Sequence, residues 1–305
     1  MSTVNCTIMA ELSNSLFLRA SLAINLVICV VGVPVFWWAT WKIWSMKYTK
    51  LFHTNFKIVI QLHIFGFLLH CTGRIILHGL DLLNYTKDNP CDMIPNIYRC
   101  FIFRLMYNSG LWITMSTAIT LIIERWIATK RSVSYEEDSV LIGVFLVLVQ
   151  LFCAGCSLSL LYCQTTFEGV TMYYCTTTVS SAPYFAQLGA ATSILFQVIA
   201  RISFQILLRI NKRHRELDVH TSFSNRYQLE QNISSITCLK TFANLSSFYV
   251  IFQNLGFLTL LRFADKLEKY QFYAILEFGS WPTYGIVSIA ILGGTLKKVK
   301  KKEPL

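Results

Sequence analysis

The sequence predicts an all-α membrane protein: a bundle of seven transmembrane helices, amino terminus outside and carboxyl terminus in the cytoplasm. Three observations carry this. Apolar stretches recur seven times along the chain, and a helix rising about 1.5 Å per residue needs about 20 such residues to cross about 30 Å of hydrocarbon. Only 14% of the 305 residues are charged while 54% are hydrophobic; a soluble domain carries about 25% charged residues. Lysine and arginine gather in alternate gaps between the stretches.

The spans fall at 16–41, 56–80, 97–123, 139–162, 183–210, 236–261 and 271–294. A polar segment with no basic run precedes the first span, which is expected to act as its own insertion signal. The second carries histidines and an arginine on one face. The third runs from Cys100 to a Glu124-Arg125 pair. The fourth has no Asp, Glu, Lys, Arg or His between Val140 and Tyr162, which argues against a large soluble helical protein. The fifth ends among Arg209, Lys212 and Arg213. The sixth and seventh flank Arg262, Lys266 and Lys269, and the seventh leads into the lysines of 297–302. Each span must be helical, because lipid offers no partner to open backbone groups and nothing alternates like a barrel strand. One domain results: 1–15 an extracellular amino terminus, 16–294 the bundle, 295–305 a basic cytoplasmic tail suited to anionic lipid.

Orientation follows from the basic residues. Lys42, Lys47, Lys50, Arg125, Lys130, Arg131, Arg209, Lys212, Arg213, Arg215, Arg226 and the lysine tail fall on one side. That is more than twice the number on the other, where Arg19, Lys87, Arg99, Arg262, Lys266 and Lys269 lie. The richer side is the cytoplasmic one, so the net charge of +11 serves topology and implies no nucleic-acid partner. Glycosylation triplets at Asn5 and Asn84 both land on the outer side, whereas those at Asn232 and Asn244 fall inside or within a span. A multi-pass plasma-membrane protein is expected. Of ten cysteines, Cys6, Cys91, Cys100, Cys163 and Cys175 lie at or near the outer face, where disulfides persist. Cys100 with Cys175 is the expected pair, with Cys91 the competing partner.

Two groups of residues suggest function. Glu124 and Arg125 end the third span, where opposite charges can hold a closed state and exchange partners when helices part; the plainer reading is a marker of the membrane edge. Twenty-five residues separate Cys100 from Arg125, about 37 Å of helix and one full crossing. On the second span His63, His70, Arg74, His78 and Asp81 lie within about 80° of one another at about 100° per residue. Ionisable groups at membrane depth are costly and face the bundle interior. Arg74 therefore needs a partner, and Glu277 of the seventh span lies at a similar depth. Arg74 and Glu277 are expected to meet or to share a cavity in the outer half, with His70, Arg104, Tyr107 and Asn108 beside it. The same arrangement also serves a purely structural ion pair. No metal site is expected: the histidines are too far apart along the axis, and the third span adds no ligand.

A family resemblance attaches to these motifs. A seven-span chain with Glu-Arg ending its third helix looks like a G-protein-coupled receptor. More narrowly, Glu124-Arg125-Trp126-Ile127-Ala128-Thr129 followed by Tyr135-Glu136 resembles nematode serpentine chemoreceptors of the Sra group. So do Phe52-His53-Thr54-Asn55, the stretches from His70 to Arg74 and from His78 to Asp81, Tyr173-Tyr174-Cys175, and Ser224-Asn225-Arg226-Tyr227-Gln228. The class alpha/beta (Srab) branch is the most similar. Departures from rhodopsin-like receptors are plain: Trp126 follows the arginine, the second span has no mid-membrane Asp, the sixth has no proline, and the seventh reads Trp281-Pro282-Thr283-Tyr284. Gln231 stands where the family tends to have Glu.

The resemblance implies a chemosensory receptor that takes a small molecule in the outer half and activates a heterotrimeric G protein at Glu124 and Arg125, in a sensory-neuron cilium. A receptor dimer is left open. No cofactor and no catalysis are implied, since a nucleophile–base set, a phosphate-binding glycine loop and a His-Glu-x-x-His helix are missing. The rival class, a transporter or ligand-gated channel, would bring repeated halves, interrupted helices at the midplane or an inverted topology, and no such repeat is present.

Overall fold

The computed structural model describes residues 3–45, 53–131, 140–165, 167–168, 172–176, 183–217, 223–278 and 281–302. Among these residues the regular structure is helical: α1 (Thr3–Asn14), α2 (Leu16–Ser45), α3 (Thr54–Asn84), α4 (Ile97–Lys130), α5 (Leu141–Tyr162), α6 (Pro183–Leu217), α7 (Phe223–Arg262), α8 (Lys269–Phe278) and α9 (Trp281–Lys302), with short 3-10 turns at Pro90–Met93 and Ala264–Lys266. Among the described residues seven helical segments are long and apolar enough to cross a membrane, and they overlap the seven expected spans.

The ends of the elements follow local chemistry. Asn96 caps α4, its side-chain oxygen accepting from the Tyr98 and Arg99 amides at 2.9 and 3.3 Å, which satisfies donors that a helix start leaves open. The described parts of the seventh span are α8 and α9.

Two segments show structure that the sequence does not announce. The amino-terminal segment, expected only to lie outside, folds as α1. Its Met9 and Leu12 are buried with Leu18, Leu22, Tyr85 and Met93, and its Cys6 is bonded to Cys91 in the 3-10 turn. Scattered apolar residues among polar ones give little signal along the chain; only their contacts make the segment a cover for this end. The stretch 211–231, expected as a cytoplasmic loop, is largely helix, since α6 runs to Leu217 and α7 begins at Phe223. It contains no glycine or proline to stop either helix, and solvated polar side chains tolerate a helix that outlasts its apolar run.

Inside the bundle α3 is the central helix, packed on α2, α4 and α5. Phe36, Phe67, Leu121, Phe204 and Ile236 are fully buried. Phe36 stacks on Phe67 with centroids 5.1 Å apart, and Tyr249 stacks on Tyr284 at 4.9 Å. The outward surface is apolar instead of polar: Trp37, Phe145, Phe152, Phe248 and Phe252 are all exposed, the inverse of a soluble protein and the surface a bilayer covers.

The α3–α4 seam is closed by glycine. A Cβ on Gly110 would lie 2.2 Å from the Gly66 carbonyl oxygen and 2.6 Å from the His70 nitrogen, and one on Gly73 would lie 2.9 Å from the Tyr107 nitrogen. Small residues allow such close backbone approach where lipid supplies no hydrophobic drive between helices. Gly110→Ala is therefore expected to force the helices apart at a cost of about 1–3 kcal/mol, lowering the thermal midpoint of the purified protein. Gly79→Ala, where a Cβ meets nothing within 4 Å, leaves the midpoint unchanged or slightly raised; equal losses in both variants would refute the seam.

Candidate functional site

The helical period that grouped the ionisable residues of the second span brings them inward in α3. His63, His70, Arg74, His78 and Asp81 are all buried. His63 is a packing residue: its Nδ1 lies 2.9 Å from Thr117 Oγ1, which also accepts from Gln150 Nε2 at 2.8 Å, and its ring meets Phe242 edge-on. Asp81 accepts from Arg99 Nη2 at 2.8 Å. Arg74 and His78 face one carboxylate, and His70 lies in the wall of the cavity beside it.

That carboxylate is Glu277 of α8, completely buried. Arg104 Nη2 donates to its Oε1 at 2.6 Å, while Arg74 Nη2 and His78 Nε2 lie 3.4 and 3.5 Å from its Oε2. Both guanidiniums lie over the Tyr107 ring, their central carbons 5.2 Å (Arg74) and 4.9 Å (Arg104) from its centroid. The Glu277 main-chain carbonyl accepts from Asn25 Nδ2 of α2, which fixes α8 against the bundle. A buried charge is tolerated only when paired and hydrogen-bonded, so the fold sets the two arginines and the glutamate on three adjacent helices.

Beside this cluster lies a cavity of about 160 Å³ whose walls include all six residues expected there, His70, Arg74, Arg104, Tyr107, Asn108 and Glu277. His70 Nδ1 lies 3.0 Å from the Tyr107 carbonyl oxygen. A carbonyl only accepts, so Nδ1 carries the proton, and Nε2 is buried without a hydrogen-bond partner. Asn108 donates to the Tyr162 hydroxyl at 2.8 Å. The sequence does not mark Trp112, Gln253 and Asn254, which join the six expected residues in the walls. Uncharged residues on spans that are apolar on most sides carry no inward signal in a linear sequence.

Cys100 at the top of α4 is bonded to Cys175, so α4 is tied to the segment before α6 at the same end as the cavity. Cys91 is held by Cys6, and Cys163 is a free thiol. Asn84, expected as a glycan acceptor, is 9% exposed, and its amide nitrogen donates to the Met93 carbonyl. The Asn5 side chain lies outside the described residues, as does the Tyr135-Glu136 motif. Among the described residues no group of three or more His, Cys, Asp or Glu is placed to hold a metal.

At the opposite end of α4, Glu124 and Arg125 are buried and bonded to each other. Arg125 Nη1 also donates to Asn232 Oδ1 of α7 at 3.2 Å. Asn232 Nδ2 donates to Asn211 Oδ1 of α6 at 2.8 Å, and Asn211 donates to Thr129 Oγ1 of α4 at 2.9 Å. Three helices are thus closed on one another by amide and hydroxyl groups around Arg125. Asn232 reads in the sequence as a chance glycosylation triplet and Asn211 as the start of a loop; neither residue type announces a buried partner.

The electrostatic claim at Glu277 can be tested by a double-mutant cycle. Glu277→Gln leaves two buried guanidiniums without a carboxylate and is expected to cost about 3–5 kcal/mol, read as loss of folded protein in detergent. Adding Arg104→Gln removes one stranded charge and restores part of that loss. Independent, additive losses would mean that the two side chains do not interact.

With the geometry in view, comparison with known proteins gives a consistent result. Serpentine receptor class beta-16 of Caenorhabditis elegans is 24% identical over 250 residues, covering 79% of this chain and 70% of that protein. Serpentine receptor class alpha/beta-14 of the same nematode is 28% identical over 224 residues, covering 70% of this chain and 57% of that protein, so the match spans little more than half the length of the latter. Residues 3–304 match the family described as serpentine type 7TM GPCR receptor class ab chemoreceptor. A match across nearly the whole chain, on seven membrane-length helices, means that the protein belongs to this family of multi-pass chemoreceptors, which are receptors and not enzymes.

Proposed function

We propose that this protein is a chemosensory receptor that binds a small molecule in the cavity beside Glu277 and passes the event to a heterotrimeric G protein at the Arg125 end. The observation that carries the reading is the division of α4. Its first turns supply Arg104, Tyr107 and Asn108 to the cavity, and its last turns supply Glu124 and Arg125 to the polar cluster. One rigid helix of 34 residues, about 50 Å long, therefore touches both places where a partner would act. A ligand that prefers one arrangement of the bundle shifts the population toward it. The amide cluster of Asn211 and Asn232 is the contact that would open, parting α6 and α7 from α4.

In this reading the disulfide end faces the environment and the Arg125 end the cytosol. The excess of lysine and arginine near the Arg125 end supports that orientation, as do the two disulfides at the other. The receptor belongs in the plasma membrane, and the family likeness points to a sensory cilium.

In cells that carry the receptor with a tag at each terminus, antibody on intact cells is expected to reach the amino-terminal tag and to miss the carboxyl-terminal one; the reverse result sinks the proposal. A screen of odorants and small metabolites with a calcium or cyclic-nucleotide readout is expected to give responses with the native protein and none with Arg125→Ala at equal surface level. Asn232→Ala releases one tie on Arg125 and is expected to raise signalling without ligand. A silent native receptor across such a screen, or full signalling by Arg125→Ala, would remove the G-protein reading.

A further inference from the structure

We propose that the ligand of this cavity is a small organic monoanion with a carboxylate-type head seated on Arg74 and an apolar body of about one aromatic ring. The inference rests on the reading of this cavity as the ligand site and adds the chemical class that the site selects.

The charges do not balance without such a guest. Arg74 and Arg104 face the single carboxylate of Glu277, and the other acid at this depth, Asp81, is held by Arg99 at 2.8 Å. His70 and His78 add no negative charge. One positive charge is therefore in excess inside an apolar bundle, where an uncompensated ion is costly.

The unpartnered hydrogen-bond donors belong to the same cluster. Arg104 donates to Glu277 through Nη2 at 2.6 Å, so its charge is engaged and only its Nε is without a partner. Arg74 approaches the glutamate only at 3.4 Å, through Nη2, and its Nε and Nη1 are buried with no hydrogen-bond partner. Arg74 is 5% exposed and forms part of the cavity wall. Its guanidinium is already held against the Tyr107 ring, so little conformational freedom is left to lose on binding. A carboxylate oxygen would accept from these unspent donors and cancel the excess charge at once, whereas an ammonium ligand would add to it.

The rest of the cavity sets the body of the ligand. Leu111, Trp112, Met115, Phe257, Leu276 and Trp281 give an apolar, largely aromatic wall. A volume of about 160 Å³ is close to the roughly 150 Å³ of an apolar protein cavity that holds benzene. A single ring or a short branched chain fits; a long acyl chain does not.

The test compares three probes of one size and three charges (benzoate, benzamide and benzylamine) by thermal unfolding of the full-length protein in detergent. Benzoate is expected to raise the midpoint in a dose-dependent way, with no shift from the other two. In Arg74→Gln the half-saturating benzoate concentration is expected to rise at least about tenfold, the scale of one charge-assisted hydrogen bond. Should Arg74→Gln not fold, Arg74→Lys keeps the charge, and the three probes on native protein decide alone. Benzamide or benzylamine equal to benzoate would overturn the anion class and leave the cavity as a ligand site. A benzoate shift unchanged in Arg74→Gln would place the anion elsewhere and overturn the proposal. No shift from any probe would overturn the class as well, while the signalling screen still judges the receptor reading independently.

Discussion

A single buried carboxylate, that of Glu277, lets two arginines stand inside an apolar bundle. An isolated guanidinium in such a place would cost several kcal/mol; with Glu277 between them, Arg74 of α3 and Arg104 of α4 are brought to 3.4 and 2.6 Å of one carboxyl group. That requirement reaches outward. It sets the depth of α8, whose backbone is tied to α2 through Asn25. The cavity lies beside this cluster because long side chains converging on one carboxylate cannot also fill the space next to it.

The helix that links the cavity to the opposite end is held by contacts of two kinds. Against α3, α4 is fitted backbone to backbone at Gly66, Gly73 and Gly110, a seam that resists sideways change. Against α6 and α7 it is held at its far end by hydrogen bonds among Thr129, Asn211, Asn232 and Arg125. Interhelical hydrogen bonds in membranes are worth only about 0.6–2 kcal/mol each. The firm seam and the weak polar closure lie on different faces of one helix, so a modest free-energy difference can part α6 and α7 without unpacking α3. That division is what a two-state element needs.

Membership in a chemoreceptor family gives the role in outline, and the residues give it local content. The excess positive charge, the unspent donors of Arg74 and the aromatic wall are properties of this chain's own cavity. They distinguish it from a generic apolar pocket, in which no ligand charge would be favoured over another.

The sequence by itself determined the number of spans, their approximate limits and the face of the second helix that carries His63, His70, Arg74, His78 and Asp81. Each of these depends on hydrophobicity and on the helical period, which are local quantities. It also suggested that Arg74 and Glu277 are neighbours, because a charge at membrane depth must find another. Only the tertiary structure decided that Arg104 is the nearer partner of Glu277, that Asn232 and Asn211 close around Arg125, that α1 covers one end through Met9, Leu12 and the Cys6–Cys91 bond, and that Asn84 is turned inward. Those outcomes depend on distances between helices far apart in the chain, and neutral amides, scattered apolar side chains and cysteines carry no mark of their partners until the helices are packed.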